Sequence, residues 1–217
     1  MSELVLAVNR QQLTKQGISI KGIYPIDLTL LDQKEYALLP RESSDNKSVQ
    51  AITLGMVFPQ ILGYFQVIRP DGRILCYQRK GKEKGLLGKW SLGVGGHVSQ
   101  EDFLDALDGD EDIYPDLLTI IQLGAQRELE EELGLDILSV LNNNIGENFK
   151  RIISMDVDPT SSVHVGLPVD LHITESQLDK LHLDPKEFLN YQWLTLDEIK
   201  HGVYDWETWS QVLINEM

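Results

Sequence analysis

The chain is predicted to form an α+β fold, an α/β/α sandwich around a mixed β-sheet. Three observations point there. Short apolar runs are punctuated by turn signals, most clearly Gly63 to Ile68 and Arg73 to Arg79 around Pro70-Asp-Gly72, which reads as a hairpin. Capping-box patterns precede helical spacings, Ser99 with Asp102 and Thr195 with Glu198. Strand-like and helix-like segments also interleave along the chain, as layered mixed folds require.

Residues 1–50 read as an extension. They hold a short apolar start (Leu4 to Val8), a middle apolar segment (Ile23 to Leu31) and a polar loop, Arg41-Glu-Ser-Ser-Asp-Asn-Lys47. Some 50 residues make a marginal core, so this extension is expected to pack on the main domain, residues 51–217. The main domain opens with Ile52 to Phe58, expected as strand, followed by the hairpin and a glycine-rich polar loop over 81–89. Trp90-Ser-Leu-Gly-Val-Gly-Gly-His-Val98 comes next, and Ser99 then starts a short helix. After the acidic loop Asp108 to Asp112, Pro115 can open a second helix running to about Leu133. Asn142 to Asn144 form a loop. Strands are expected over Arg151 to Val157, His164 to Thr174 and Leu189 to Leu194, with a turn of helix at Glu175 to Leu181 and a final helix from Trp206 to Glu216.

Composition narrows the function. The net charge of −15 over 217 residues repels polyanions, which argues against general nucleic-acid binding. The longest apolar-rich stretch, 51–68, is interrupted by Pro59, Gln60, Gly63 and Gln66, so no membrane span is expected. One cysteine, Cys76, cannot make an intramolecular disulfide and reads as a small buried hydrophobe. With no signal peptide at the N-terminus, a cytoplasmic location is expected.

Glu128, Glu130, Glu131 and Glu132 crowd the end of the second helix, just ahead of Gly134. Like charges at i,i+4 cost roughly 0.2–0.5 kcal/mol each, and acids near a helix C-terminus oppose the macrodipole. At about 100° per residue, Glu128, Glu131 and Glu132 share a face while Glu130 lies apart and is expected at the surface. A bound cation would offset the cost, and Mg²⁺ takes carboxylate oxygens, water and substrate phosphates. The alternative is a solvated acidic face.

The glycines and the acidic helix together resemble the Nudix hydrolase family, whose box is Gly, five residues, Glu, seven residues, Arg-Glu, an aliphatic, any residue, Glu-Glu, any residue, Gly, an aliphatic. Gly96 supplies the first glycine, and Arg127 to Leu135 match the second half at every specified position. The box is split: the sixth residue after Gly96 is Asp102, and 24 residues separate it from Arg127 instead of seven, which places an insertion at about 103–119. Glu101, Asp102 or neither could fill the place of the missing box acid. Lys89 to Val98 and Gln192 to Ile199 also look like the family's entry loop and closing strand and helix.

The resemblance implies hydrolysis of a diphosphate in a small-molecule substrate with Mg²⁺ or Mn²⁺. It assigns Gly96, Glu128, Glu131 and Glu132 to the metal, Arg127 to orienting the acids, and Glu128 to metal binding or to the role of base. A downstream base could be Glu187 or Glu175. Dimers are common in the family, so a homodimer is open. A non-catalytic nucleotide-binding module on the same fold is the alternative; isoprenoid diphosphate isomerisation lacks a cysteine signature around Cys76.

Arg79, Lys80, Lys82, Lys84 and Lys89 form the one basic island of this acidic chain. Arg79 and Lys89 are candidate phosphate contacts, against a merely solubilising loop. His97 follows the glycine pair and could approach substrate, or it could pack or cap.

Overall fold

The computed structural model describes residues 3–31, 36–41, 56–80, 85–107, 115–136 and 148–217. The strands are β1 (Leu4–Val8), β2 (Lys21–Pro25), β3 (Tyr36–Pro40), β4 (Gln60–Ile68), β5 (Ile74–Arg79), β6 (Trp90–Ser91), β7 (Arg151–Met155), β8 (His164–His172) and β9 (Phe188–Leu194). The helices are α1 (Arg10–Lys15), α2 (Gln100–Ala106), α3 (Leu117–Leu133), α4 (Glu175–Leu178), α5 (Leu196–His201) and α6 (Thr208–Glu216).

The strands make one mixed sheet in the order β2-β7-β8-β4-β1-β3, with β5 joined to β4, β6 and β9. β4 and β8 run parallel from Gln60↔His164 to Ile68↔His172, while the other strand pairings are antiparallel. Side-chain alternation along β4 explains why both faces are covered. Ile61, Phe65 and Val67 enter one apolar cluster with Ile120, Ala125 and Leu129 of α3, whereas Tyr64 enters a second with Ile199 of α5 and Trp209 and Leu213 of α6. These two helical layers complete the α/β/α sandwich.

Residues of the N-terminal segment are woven into this sheet. β1 pairs with β3 and touches β4, and β2 pairs along β7. The hairpin around Pro70 to Gly72 joins β4 and β5, and Gly72 takes φ 82°, which suits a residue without a Cβ. Both capping boxes form, at Ser99 and at Thr195. One expectation needs correction: Met56 and Val57 are helical instead of extended, because the chain turns before β4 begins at Gln60, and 51–55 lie outside the described residues. Among the described residues no helix is long and apolar enough to cross a membrane.

Candidate active site

The acidic helix α3 is fixed at both ends. Asp116 caps its start by accepting from the Thr119 N–H at 3.1 Å, so the helix begins two residues beyond Pro115. Gly134 ends it in the left-handed conformation (φ 65°), and its N–H donates to the Glu130 carbonyl. The last carbonyls find donors in the loop before β9: His182 N–H to Leu133 at 2.9 Å and Asp184 N–H to Glu132 at 3.0 Å. Ile121, Ala125 and Leu129 face the core, leaving Glu128 and Glu132, one turn apart, toward the glycine segment.

That segment runs beside β4 and then β1. Phe65 and Val94 exchange backbone bonds, Gly63 N–H donates to the Gly96 carbonyl at 3.1 Å, and Leu6 N–H donates to Val98 at 2.7 Å. A Cβ on Gly95, which has φ 137°, would sit 2.6 Å from the Gly63 carbonyl oxygen. A Cβ on Gly96 would sit 2.6 Å from the Glu128 carboxyl carbon. Both contacts are too close for a side chain: Gly95 lets the segment approach Gly63, and Gly96 admits the Glu128 carboxylate against the backbone.

Arg127 locks the arrangement. Its Nε and Nη2 donate to the two oxygens of Asp102 at 2.9 and 3.0 Å, Nη2 also donates to the His97 carbonyl at 2.9 Å, and Nη1 donates to Glu128 at 2.9 Å. Burial works against this charge, but the Asp102 fork and Glu128 outweigh it and hold the pKa above the ordinary arginine value. Asp102, 2% exposed, is also the capping-box acid that accepts from Ser99 N–H at 2.6 Å. Its carboxylate is therefore committed to Arg127 and the helix start. Gly124 permits this: a Cβ there would meet Asp102 at 3.0 Å and Val98 at 3.2 Å.

The acids line a cleft of about 340 Å³. Burial is the largest influence on Glu132 and, with the neighbouring Glu128, pushes its pKa up to about 8. Glu128 is also raised, chiefly by burial, against the pull of Arg127. The Gly95 N–H is directed at the Glu132 carboxylate, yet Glu132 Oε2 is buried without a hydrogen-bond partner.

Two crowded, half-buried carboxylates, one with an orphaned buried oxygen, fit a hard divalent cation that uses one or two protein acids and completes its shell elsewhere. The Gly96 carbonyl has one lone pair engaged by Gly63 and a second left for a ligand. Glu131 stands at the rim, its side chain 63% exposed and 3.7 Å from Arg127 Nη1. Among the described residues no three His, Cys, Asp or Glu side chains converge as a ready-made ligand cluster.

Of the other sequence candidates, Arg79 and Glu187 line the cleft, whereas Lys89 and Glu175 are not among its lining residues. The Lys89 ammonium pairs with Asp205 at 2.8 Å. His97 lines the cleft, while its ring is buried with Nε2 at 2.8 Å from Gln60 Oε1 and 3.2 Å from His164 Nε2. Lys80 bonds the Pro185 carbonyl, and Lys82 and Lys84 lie outside the described residues. Glu130 is exposed, as its helical register predicts. Cys76 is buried and its thiol is pushed up to about 12, mainly by burial.

Sequence reasoning missed Glu3, Arg41 and Glu207, all of which line the cleft. Arg41 and Glu3 pair at 2.9 Å. Glu207 accepts from the Tyr64 hydroxyl at 2.6 Å and the Ser91 hydroxyl at 2.7 Å. Only strand register brings the first pair to the site, and no local pattern signals it.

Comparison with known proteins agrees with this geometry. Residues 120–214 match the family model of the NUDIX domain. The crystal structure of Tm1382, a candidate Nudix hydrolase, is similar over 99% of this chain and 100% of its own, at 19% identity and a TM-score of 0.64. The MutT NUDIX hydrolase from Burkholderia pseudomallei matches 73% of this chain and 98% of its own at 18% identity, with a TM-score of 0.47. The MutT protein from Methanosarcina mazei Go1 matches 73% and 92% at 16% identity, with a TM-score of 0.43. No curated protein sequence matched. The domain match spans the Arg127 to Leu135 half of the box, and the sandwich is the fold shared with the Tm1382 structure.

Proposed function

We propose that the chain hydrolyses the diphosphate linkage of a nucleoside diphosphate derivative or a related organic diphosphate, with Mg²⁺ or Mn²⁺ as cofactor. The observation that carries this reading is the half-buried Glu128 and Glu132 pair with its orphaned Glu132 oxygen, set against the side-chain-free Gly95 and Gly96 in an open cleft. Glu128, Glu132 and the Gly96 carbonyl would hold the cation, with Glu131 reaching in from the rim. When bound, the cation neutralises diphosphate charge and acidifies the attacking water.

The chain's own residues do the rest. Arg127, held by Asp102, keeps the Glu128 carboxylate in place and leaves its far oxygen to the cleft. Arg79, close enough to Glu132 to pull its pKa down, contacts a phosphate oxygen. Glu187, lining the cleft near Glu132, takes the proton from water as its oxygen bonds to phosphorus and the bridging P–O bond breaks. The second phosphate leaves with the bridging oxygen. A small-molecule substrate suits the cleft size, and the acidic surface disfavours nucleic acid. We place the protein in the cytoplasm.

The test is product release from a panel of nucleoside diphosphate derivatives with Mg²⁺ or Mn²⁺. Turnover that disappears in Glu131→Gln and Glu132→Gln is expected. Tight binding of panel members without turnover would instead make the chain a non-catalytic module.

A further inference from the structure

The cleft is walled in part by the N-terminal segment, and the pairing explains how. Val5 bridges Ser99, and Leu6 N–H bonds Val98, so β1 takes over from β4 as the partner of the glycine segment past His97. β3 lies antiparallel to β1 with Leu4 opposite Pro40, which brings Arg41 next to Glu3; the Arg41 N–H donates to the Glu3 carbonyl at 2.7 Å. Both side chains then reach the cleft beside Arg127, Glu128 and Glu131. The Arg41 guanidinium is near enough to Glu128 to counter, in small part, the upward push of burial on that acid.

Three arginines line the cleft: 41, 79 and 127. Arg127 spends its donors on Asp102, Glu128 and the His97 carbonyl. Arg79 and Arg41 line the same cleft as the Glu128 and Glu132 pair. Resting on the diphosphate reading above, we infer that Arg41 is a substrate-binding residue that takes an oxygen of the substrate's diphosphate on the Glu128 side, with Glu3 as the residue that positions it. The N-terminal strands are thereby part of the binding site.

Guanidinium matches phosphate through paired N–H donors, and such charge-assisted bonds are the strong ones. The Arg41–Glu3 pair itself is weak, since its side chains are 44% and 48% exposed, so breaking this pair costs little. For the same reason, Arg41 variants should fold.

The experiment is calorimetric titration of the full chain with methylenediphosphonate in the presence of Mg²⁺. Arg41→Gln is expected to weaken binding at least about tenfold, Arg41→Lys to recover part of it, and Glu3→Gln, which only loosens Arg41, to weaken it by less than Arg41→Gln does. In turnover, Arg41→Gln should raise KM more than it lowers kcat. If Arg41 were only a strut between β1 and β3, Arg41→Gln and Glu3→Gln would lower Tm alike and leave the affinity unchanged, which overturns the inference alone. Failure of the unaltered chain to bind the probe would overturn the diphosphate reading, and this inference with it.

Discussion

Two glutamates of the same cleft, Glu207 buried and Glu132 half-buried, are treated in opposite ways. Glu207, 5% exposed, receives the Tyr64 hydroxyl at 2.6 Å, the Ser91 hydroxyl at 2.7 Å and the Ser210 hydroxyl at 3.3 Å. Burial, and then the Glu207 charge, hold the Tyr64 pKa well above its ordinary value, so the phenol stays a donor. Glu132 has a second carboxylate one turn away, a backbone N–H from Gly95 and an oxygen with no partner. Burial of a carboxylate is costly in both places. At Glu207 neutral hydroxyls offset it within the fold, while at Glu132 the compensation is left to something the chain does not itself contain. The contrast teaches that the under-satisfied acid, not the merely buried one, marks the working site.

The largest expected effect sharpens that contrast. Glu132→Gln should lower turnover by at least about 10²-fold, since even losing an outer-shell partner of a metal ligand costs 10–100-fold. The same substitution should raise the Tm of the metal-free protein, because it removes a crowded charge. A fall in both would place Glu132 with Glu207 as a structural acid.

Glu207→Ala should behave in the reverse sense, costing about 2–3 kcal/mol in denaturant unfolding by stranding buried hydroxyls, with the metal affinity of the folded protein unchanged. Loss of metal binding there would erase the distinction.

A third expectation concerns pH. The folded Glu132 pKa of about 8 lies above the 4.5 of an ordinary glutamate, so its contribution to stability is full below about pH 4.5 and is lost as pH rises through 8. The Tm of the metal-free protein should therefore fall across that window, and saturating Mg²⁺ should flatten the decline at its upper end. A Tm profile indifferent to Mg²⁺ at pH 8 would contradict the assignment. The smallest effect is at Glu130→Gln: this acid is exposed and accepts only from Gln126 at 2.9 Å, so activity should stay within about twofold.

What was legible in the sequence was what is local. The Gly134 helix stop, the Ser99 and Thr195 capping boxes and the face shared by Glu128 and Glu132 all depend on residues within a turn or two of each other. The role of Asp102 was only half legible. Its capping position could be read, but its fork to Arg127 closes across 24 intervening residues and needs Gly124 to bring the helices together. The contacts of Lys89 and His97 were not legible because proximity in sequence to the glycines does not set side-chain direction; Asp205 and the Gln60–His164 pair decide it. Arg41 was invisible because its place beside Glu128 follows from the β1–β3 register, which no motif encodes.

The central claim, that the Glu128 and Glu132 pair is built for a divalent cation, is tested most directly by calorimetric titration of the full chain with Mn²⁺ and Mg²⁺ at neutral pH. The account predicts saturable binding accompanied by proton release, because a raised carboxyl must ionise to ligate, and loss of that binding in Glu132→Gln but not in Glu130→Gln. Absence of uptake in the unaltered chain, with and without methylenediphosphonate, or equal binding in Glu132→Gln, would contradict it.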